Sequence, residues 1–144
     1  AGLMDHICEI TAFLNPTDAS YARFGEYKAP HYVTWSPENR SQLIRIPAAK
    51  GEFERIELRS PDPAGNPYLS FALILAAGLD GIRRGLVPPP PANVNLFTAD
   101  ASVTGKLRQL PRSREEAVAL AQNSAFVRSV LPEGILNAFA SYNG

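Results

Sequence analysis

The chain has 144 residues, 45% of them hydrophobic, and carries 14 basic against 14 acidic side chains. That is enough apolar material for one domain, or for one large piece of a bigger one, and it excludes extensive disorder. The neutral balance leaves no global field to draw the chain onto nucleic acid or an anionic membrane, so any charge-based function is local.

Cys8 is the single cysteine and cannot make an internal disulfide, while His6 and His31 show no ligand spacing. A reducing, cytoplasmic compartment is expected. No signal peptide is visible, and the longest apolar run, about residues 68–79, is too short to cross a bilayer.

The first segment, AGLMDHICEITAFL, places Leu3, Ile7, Ile10 and Phe13 or Leu14 at helical spacing, without an N-cap or initiator methionine. We expect it to start inside a helix, as a piece of a longer protein would. Asn15-Pro16-Thr17 marks a turn, and residues up to Pro30 follow neither period and read as a loop. Residues 31–36 (HYVTWS) and 42–47 (QLIRIP) are rich in aromatic and β-branched types around the turn residues Pro37-Glu38-Asn39, which predicts an antiparallel pair. Residues 54–60 alternate, with Ile56 and Leu58 toward the core and Arg55, Glu57 and Arg59 on the opposite face.

Asn66-Pro67 reads as an N-cap and first turn, opening a helix that runs to about Arg84 and stops at Gly85. Apolar residues cover nearly its whole circumference, which predicts burial on most sides. Pro88 to Pro91 form a stiff extended strap, a better account of them than a proline-motif ligand. Ser113-Arg114-Glu115-Glu116 is a capping-box pattern for a helix through about Gln122, and two short helices follow over 124–131 and 133–142. The fold class expected is α+β: a small antiparallel sheet packed against the long buried helix, with a helical C-terminal tail and no second domain within residues 1–144.

The chemistry gathers between Asn39 and Pro67. Arg40, Arg45, Arg55 and Arg59 offer planar bidentate donors to anionic oxygens, and Glu57 can hold a divalent cation that bridges phosphates. By residue type alone, two readings stand. The first is a solvated strand face laced with salt bridges. The second is a site for phosphate or carboxylate, favoured by arginine over lysine and by Arg45 within an apolar strand, where an unpaired guanidinium is costly. Cys8 is read as structural, and His6 and His31 as packing or surface residues. No glycine-rich phosphate loop, nucleophile elbow or paired-cysteine motif occurs.

At these residues the chain resembles the C-terminal part of the catalytic domain of bacterial type I glutamine synthetases. TAFLNPTDASYARF is similar to T-A-x-x-N-P-T-x-N-S-Y-x-R-L, NRSQLIRIP to N-R-S-A-x-I-R-I-P, and RIELRSPDPAGNPYLSFALILAAGLDGI to the family's R-x-E-x-R-x-P-D-P-x-A-N-P-Y-L-x-F-A-x-x-L-x-A-G-L-D-G-I. The resemblance implies an ATP-dependent ligase that joins glutamate and ammonia through a γ-glutamyl phosphate, with Mg2+ or Mn2+ and a homo-oligomeric ring. It assigns Glu57 to a divalent ion, Arg40 to the transferred phosphoryl group, Arg45 and Arg55 to ATP phosphates, and Arg23 and Arg59 to substrate glutamate. Lys50 is a looser match for an ATP contact, and residues 135–142 for a tail that reaches a neighbouring ring.

Two departures from the family pattern stand out. Lys28 in YKAP occupies the place of a flap glutamate, which leaves Glu26 as its possible replacement and an organic amine as an alternative acceptor. Phe97 in VNLFTA stands where many members carry a modifiable tyrosine. The family's N-terminal β-grasp domain and first part of the catalytic domain do not precede Ala1, so the chain by itself is expected to be inactive. A non-catalytic homologue with a structural or regulatory role is a further alternative.

Overall fold

The computed structural model describes residues 1–26 and 28–141. Tyr27 of the YKAP stretch and Tyr142 at the end of the last expected helix lie outside the described residues. Contacts divide the chain into two compact units. The first comprises residues 1–21, 61–88 and 111–144, and the second residues 22–60 and 89–110. Among the described residues no helix is long and apolar enough to cross a membrane.

In the first unit the central element is α1 (Gly2–Leu14), whose Leu3, Met4, Ile7, Ile10, Phe13 and Leu14 are all buried. It is enclosed by α3 (Pro67–Arg83), α5 (Arg114–Asn123) and α6 (Ala125–Val130). A short helix α2 (Asp18–Ala22) occupies part of the stretch expected as loop, with Ser20 bonded to Thr17 at its start. Helix α7 (Glu133–Ser141) packs on α5.

The ends of α3 follow the sequence closely. The Asn66 side chain accepts from the Tyr68 and Leu69 amides, and Pro67 fills the first turn. At the other end Gly85 adopts φ 62°, and the Leu86 and Gly85 amides close onto the Gly81 and Ile82 carbonyls, the paired bonds that satisfy a helix terminus. Ser113 caps α5 by accepting from the Glu116 amide, and Ser124 caps α6 in the same way.

The expectation that α3 is buried on most sides does not hold. Only Ser70, Leu73, Ala77 and Gly81 are buried. Tyr68, Phe71, Leu75, Leu79 and Ile82 form a stripe that is 50 to 84% exposed. The reason is geometric: α3 meets α1 and α6 along one narrow face. Within the first unit α3 packs on α1 and α6.

That face is narrow because the backbones touch. A Cβ placed on Gly81 would lie 2.5 Å from the Gly2 nitrogen, and one on Gly2 would lie 2.1 Å from the Ala77 carbonyl. Beside this crossing, His6 bonds Asp80 at 2.8 Å and Glu9 at 3.2 Å and stacks on Phe126 with ring centroids 3.8 Å apart. Arg84 joins Asp5 at 2.7 Å and Asp80 at 2.9 Å.

The second unit carries a three-stranded sheet in the order β1 (Trp35–Pro37), β2 (Ile44–Ile46), β3 (Glu57–Leu58). The antiparallel pairing expected between β1 and β2 is corrected: Trp35, Ser36 and Pro37 pair in parallel with Ile44, Arg45 and Ile46. Two facts explain it. Residues 31–33 are drawn off to pair with residues 108–110, through Val33 to Arg108, Leu110 to His31 and the antiparallel bridge Tyr32 to Gln109. A parallel connection ordinarily needs about a dozen residues, but β1 and β2 have 3 residues each, and Glu38 at φ 59° starts a loop over 38–43 long enough to return.

The β2 to β3 pairing is antiparallel, with Ile44 opposite Leu58 and Arg45 opposite Glu57. The third strand is shorter than the alternation suggests, because a 3-10 turn at Gly51–Phe53 precedes it, and Ile56 is 55% exposed instead of joining the core. Val33, Leu43, Ile44, Leu96 and Leu110 form the apolar centre of this unit. The proline run belongs to no helix or strand; its Pro89 carbonyl accepts from Trp35 Nε1 at 2.7 Å and, next to the run, the Ala92 amide bonds the Trp35 carbonyl. A helical turn, α4 (Ala101–Thr104), capped by Asp100, was not foreseen.

The crossing of α1 and α3 yields a paired prediction. Gly81→Ala should lower stability by roughly 1–3 kcal/mol, since the added methyl meets backbone that cannot swing away. Gly78→Ala on the same helix, where a Cβ meets nothing within 4 Å, should raise it by roughly 0.5–1 kcal/mol. Thermal unfolding of the two variants checks both signs.

Candidate functional site

The register that places Arg45 opposite Glu57 on neighbouring strands also sets the centre of the charged cluster. Arg45 Nη1 donates to Glu57 Oε2 at 2.7 Å, and Arg45 Nε donates to the Glu38 carbonyl at 3.0 Å. The other carboxylate oxygen, Oε1, accepts from Arg55 Nη2 at 3.3 Å, and Arg55 Nη1 also reaches the Phe53 carbonyl. Arg45 is mostly covered, whereas the Arg55 side chain is 53% exposed, so the second pair is the looser one. Arg45 and, less strongly, Arg55 hold the Glu57 carboxyl below its ordinary value.

Arg59, just after β3, donates through Nη1 to the carbonyl of Arg40. Burial lowers its guanidinium below the usual arginine value, opposed by Glu57 and reinforced by Arg45 and Arg40, whose charges reach it. Arg23 Nη2 donates to the Ser60 carbonyl at 2.8 Å, next to Arg59, and its guanidinium lies 5.8 Å from the Phe24 ring centroid. All six expected site residues, Arg23, Arg40, Arg45, Arg55, Glu57 and Arg59, thus fall in the second unit. Direct ion pairs join Arg45, Glu57 and Arg55, and Arg59 is tied to Arg40 through the backbone. Lys50 sits exposed just before the 3-10 turn.

Sequence reasoning identified the charged groups and missed their backbone partners. The carbonyls of Glu38, Arg40, Phe53 and Ser60 orient four guanidiniums, and a carbonyl carries no signature in a residue string. Lys28 lies exposed at φ 66° in a turn closed by the Gly25 amide on the Ala29 carbonyl and the Ala29 amide on the Glu26 carbonyl. A cavity of about 310 Å3 borders that turn, lined by Phe24, Glu26, His31, Tyr32, Leu96 and Phe97 among others, and by none of the six residues above.

With respect to a divalent ion, Glu57 fits as a single hard oxygen ligand: its Oε1 contact is the long one and is made to an exposed partner. In the first unit, Asp5, His6 and Asp80 bring ligand atoms within 4.8 Å of one another. Arg84 already joins both aspartates and His6 donates to one, so that group is read as an ion network across the helix crossing.

The family model for the glutamine synthetase catalytic domain matches residues 1–143, and the chain belongs to that family. Glutamine synthetase of Methanosarcina mazei is 47% identical over 141 residues, which cover 96% of this chain and 32% of the relative. The enzyme of Thermus thermophilus is 42% identical over 142 residues, again 96% and 32%. A solved structure of GmaS, described as "GmaS/ADP complex-Conformation 1", superposes with a TM-score of 0.82 at 35% identity, covering 96% of this chain and 32% of that one. "Apo GmaS without ligand" gives 0.78 at 37%, with 96% and 31% covered. The chain spans about a third of the length of the relatives it matches.

The Glu57 pairs predict an acid-side effect. The folded chain favours the ionised carboxylate, so the contribution is complete above the ordinary glutamate value of about 4.3 and is lost as pH falls through the lower folded value. Glu57→Gln should therefore lose less stability than the wild type between about pH 5 and pH 3, with the remaining loss carried in part by Asp80, which His6 and Arg84 also hold low. Unfolding midpoints across that range test it, and parallel curves for the two proteins would refute it.

Proposed function

We propose that this chain supplies the phosphate-facing arginines and one metal-binding carboxylate of an ATP-dependent ligase that joins glutamate to ammonia. The observation that carries the reading is the convergence of Arg45, Arg55, Arg59 and the Arg40 loop around Glu57, within a chain of the glutamine synthetase catalytic family. The ADP complex formed by GmaS, a structural relative, is consistent with a nucleotide at such a surface.

Each residue has a physical task in this reading. Arg45 and Arg55 leave Glu57 in part to hold the terminal phosphates of ATP, for which planar guanidiniums suit the oxygen geometry. Arg40 neutralises charge on the phosphoryl group during its transfer to the glutamate side chain, and Arg59 and Arg23 orient the substrate carboxylates. Glu57 would supply one carboxylate ligand to Mg2+ or Mn2+, and such a cation would neutralise phosphate charge there. The remaining ligands of that ion come from other parts of the active enzyme. The reading also implies ATP, glutamate and ammonia as its small-molecule partners and assembly as a homo-oligomer.

A second reading has an organic amine as acceptor. It is favoured by Lys28, an exposed cation at the position of the family's flap glutamate. Phosphate release by the full-length protein separates the two: dependence on glutamate and ammonium supports the first, and release only with an added alkylamine supports the second. Retained assembly without release under either condition points to a homologue that has given up catalysis.

Two substitutions test the assignment directly. Arg40→Lys should lower kcat by about 10²- to 10³-fold, since one ammonium cannot replace a fork of donors at a developing charge. Glu57→Gln should weaken metal-dependent ATP binding while the metal-free nucleotide binds as before, measured by titration calorimetry. Unchanged metal-dependent binding in that variant would leave the cluster as a solvated salt-bridge face.

A further inference from the structure

We infer that Gln42, together with Asn39 and Ser41, positions the Arg40 loop by fastening it to the Val94 carbonyl, an inference that rests on the reading of Arg40 given above. The Val94 oxygen accepts from Asn39 Nδ2 at 2.8 Å and from Gln42 Nε2 at 3.0 Å. A carbonyl has two lone pairs, and these two donors use both. Ser41 Oγ has one proton and lies 2.9 Å from Asn39 Oδ1 but 3.4 Å from Val94 O, so it donates to the asparagine. The same hydroxyl accepts from the Leu96 amide at 2.9 Å and from Gln42 Nε2 at 3.3 Å.

These bonds surround Arg40 in the chain without touching its side chain. Residues 39, 41 and 42 are tied to residues 94 and 96, and the Arg40 carbonyl is tied to Arg59. Arg40 is exposed while Ser41 and Gln42 are buried, so the guanidinium projects from a base fixed on both sides. Its reach toward a phosphoryl group is then set by where the segment around Val94 lies.

Gln42 is informative because the family motif N-R-S-A-x-I-R-I-P has alanine there. Its side chain is fully buried, and its Oε1 has no hydrogen-bond partner. An amide buried with one end unsatisfied is costly relative to a methyl group. What the side chain provides is the Nε2 bond to the Val94 carbonyl. The opposite amide orientation would set oxygen against oxygen.

The test is a mutant cycle on the full-length protein, reading kcat and KM for ATP-dependent phosphate release. Asn39→Ala should lower kcat by about tenfold and Gln42→Ala by about threefold, with KM for ATP and glutamate within about twofold, because orientation and not binding is lost. Gln42→Ala restores the residue of the family motif, and it keeps the test open if Asn39→Ala does not fold. In an Arg40→Lys background both losses should vanish, since residues that act through Arg40 cannot add to its removal. Losses that multiply with that of Arg40→Lys, or no loss in either variant, would overturn the inference. A wild-type rate for Arg40→Lys alone would instead sink the assignment of Arg40, and this inference with it.

Discussion

One carboxylate between two guanidiniums organises the second unit. β3 contributes only two residues to the sheet, too few for its backbone bonds to hold it firmly, and the Arg45 to Glu57 pair ties it to β2 at the register position where the two face each other. Without that negative charge, Arg40, Arg45, Arg55 and Arg59 would crowd like charges together. At Arg59 burial and the charges of Arg45 and Arg40 act against the charged form, while Glu57 acts for it. A surface built in this way is held together by a group that an incoming anion can replace. In the proposed reading, a phosphate would compete first with the 3.3 Å contact of the exposed Arg55 and only after it with the tighter 2.7 Å pair of Arg45.

The first unit depends on a different constraint, the approach of two helices at Gly2, Ala77 and Gly81. Small residues let α1 and α3 touch backbone to backbone, and this contact turns α1 into the enclosed element. The polar network of His6, Asp80, Arg84 and Asp5 sits beside the same crossing and joins the two helices through side chains as well.

Local signals in the sequence were faithful. The Asn66 cap, the Gly85 terminus and the Ser113 capping box each sit where their residue types require, because each is decided within about four residues. That Arg55 and Arg59 lie near Glu57 was also legible, since alternate residues of an extended segment share a face. What failed depended on distant partners. Residues 31–36 look like one strand and are not, since residues 31–33 bond to 108–110 through an isolated bridge and only the segment from Trp35 pairs with β2, in parallel. The period of α3 showed which residues are apolar, but not that α1 would take the role of central helix. Ile56 followed the alternation and still faces water, as the strand begins only at Glu57.

The apolar stripe of α3 has a practical consequence for anyone handling this polypeptide alone. Tyr68, Phe71, Leu75, Leu79 and Ile82 recur every three or four positions and present a continuous greasy ridge to solvent. Ridges of this kind seek one another, so concentration, detergent and salt would govern the hydrodynamic mass of such a preparation more than any property of its charged ribbon.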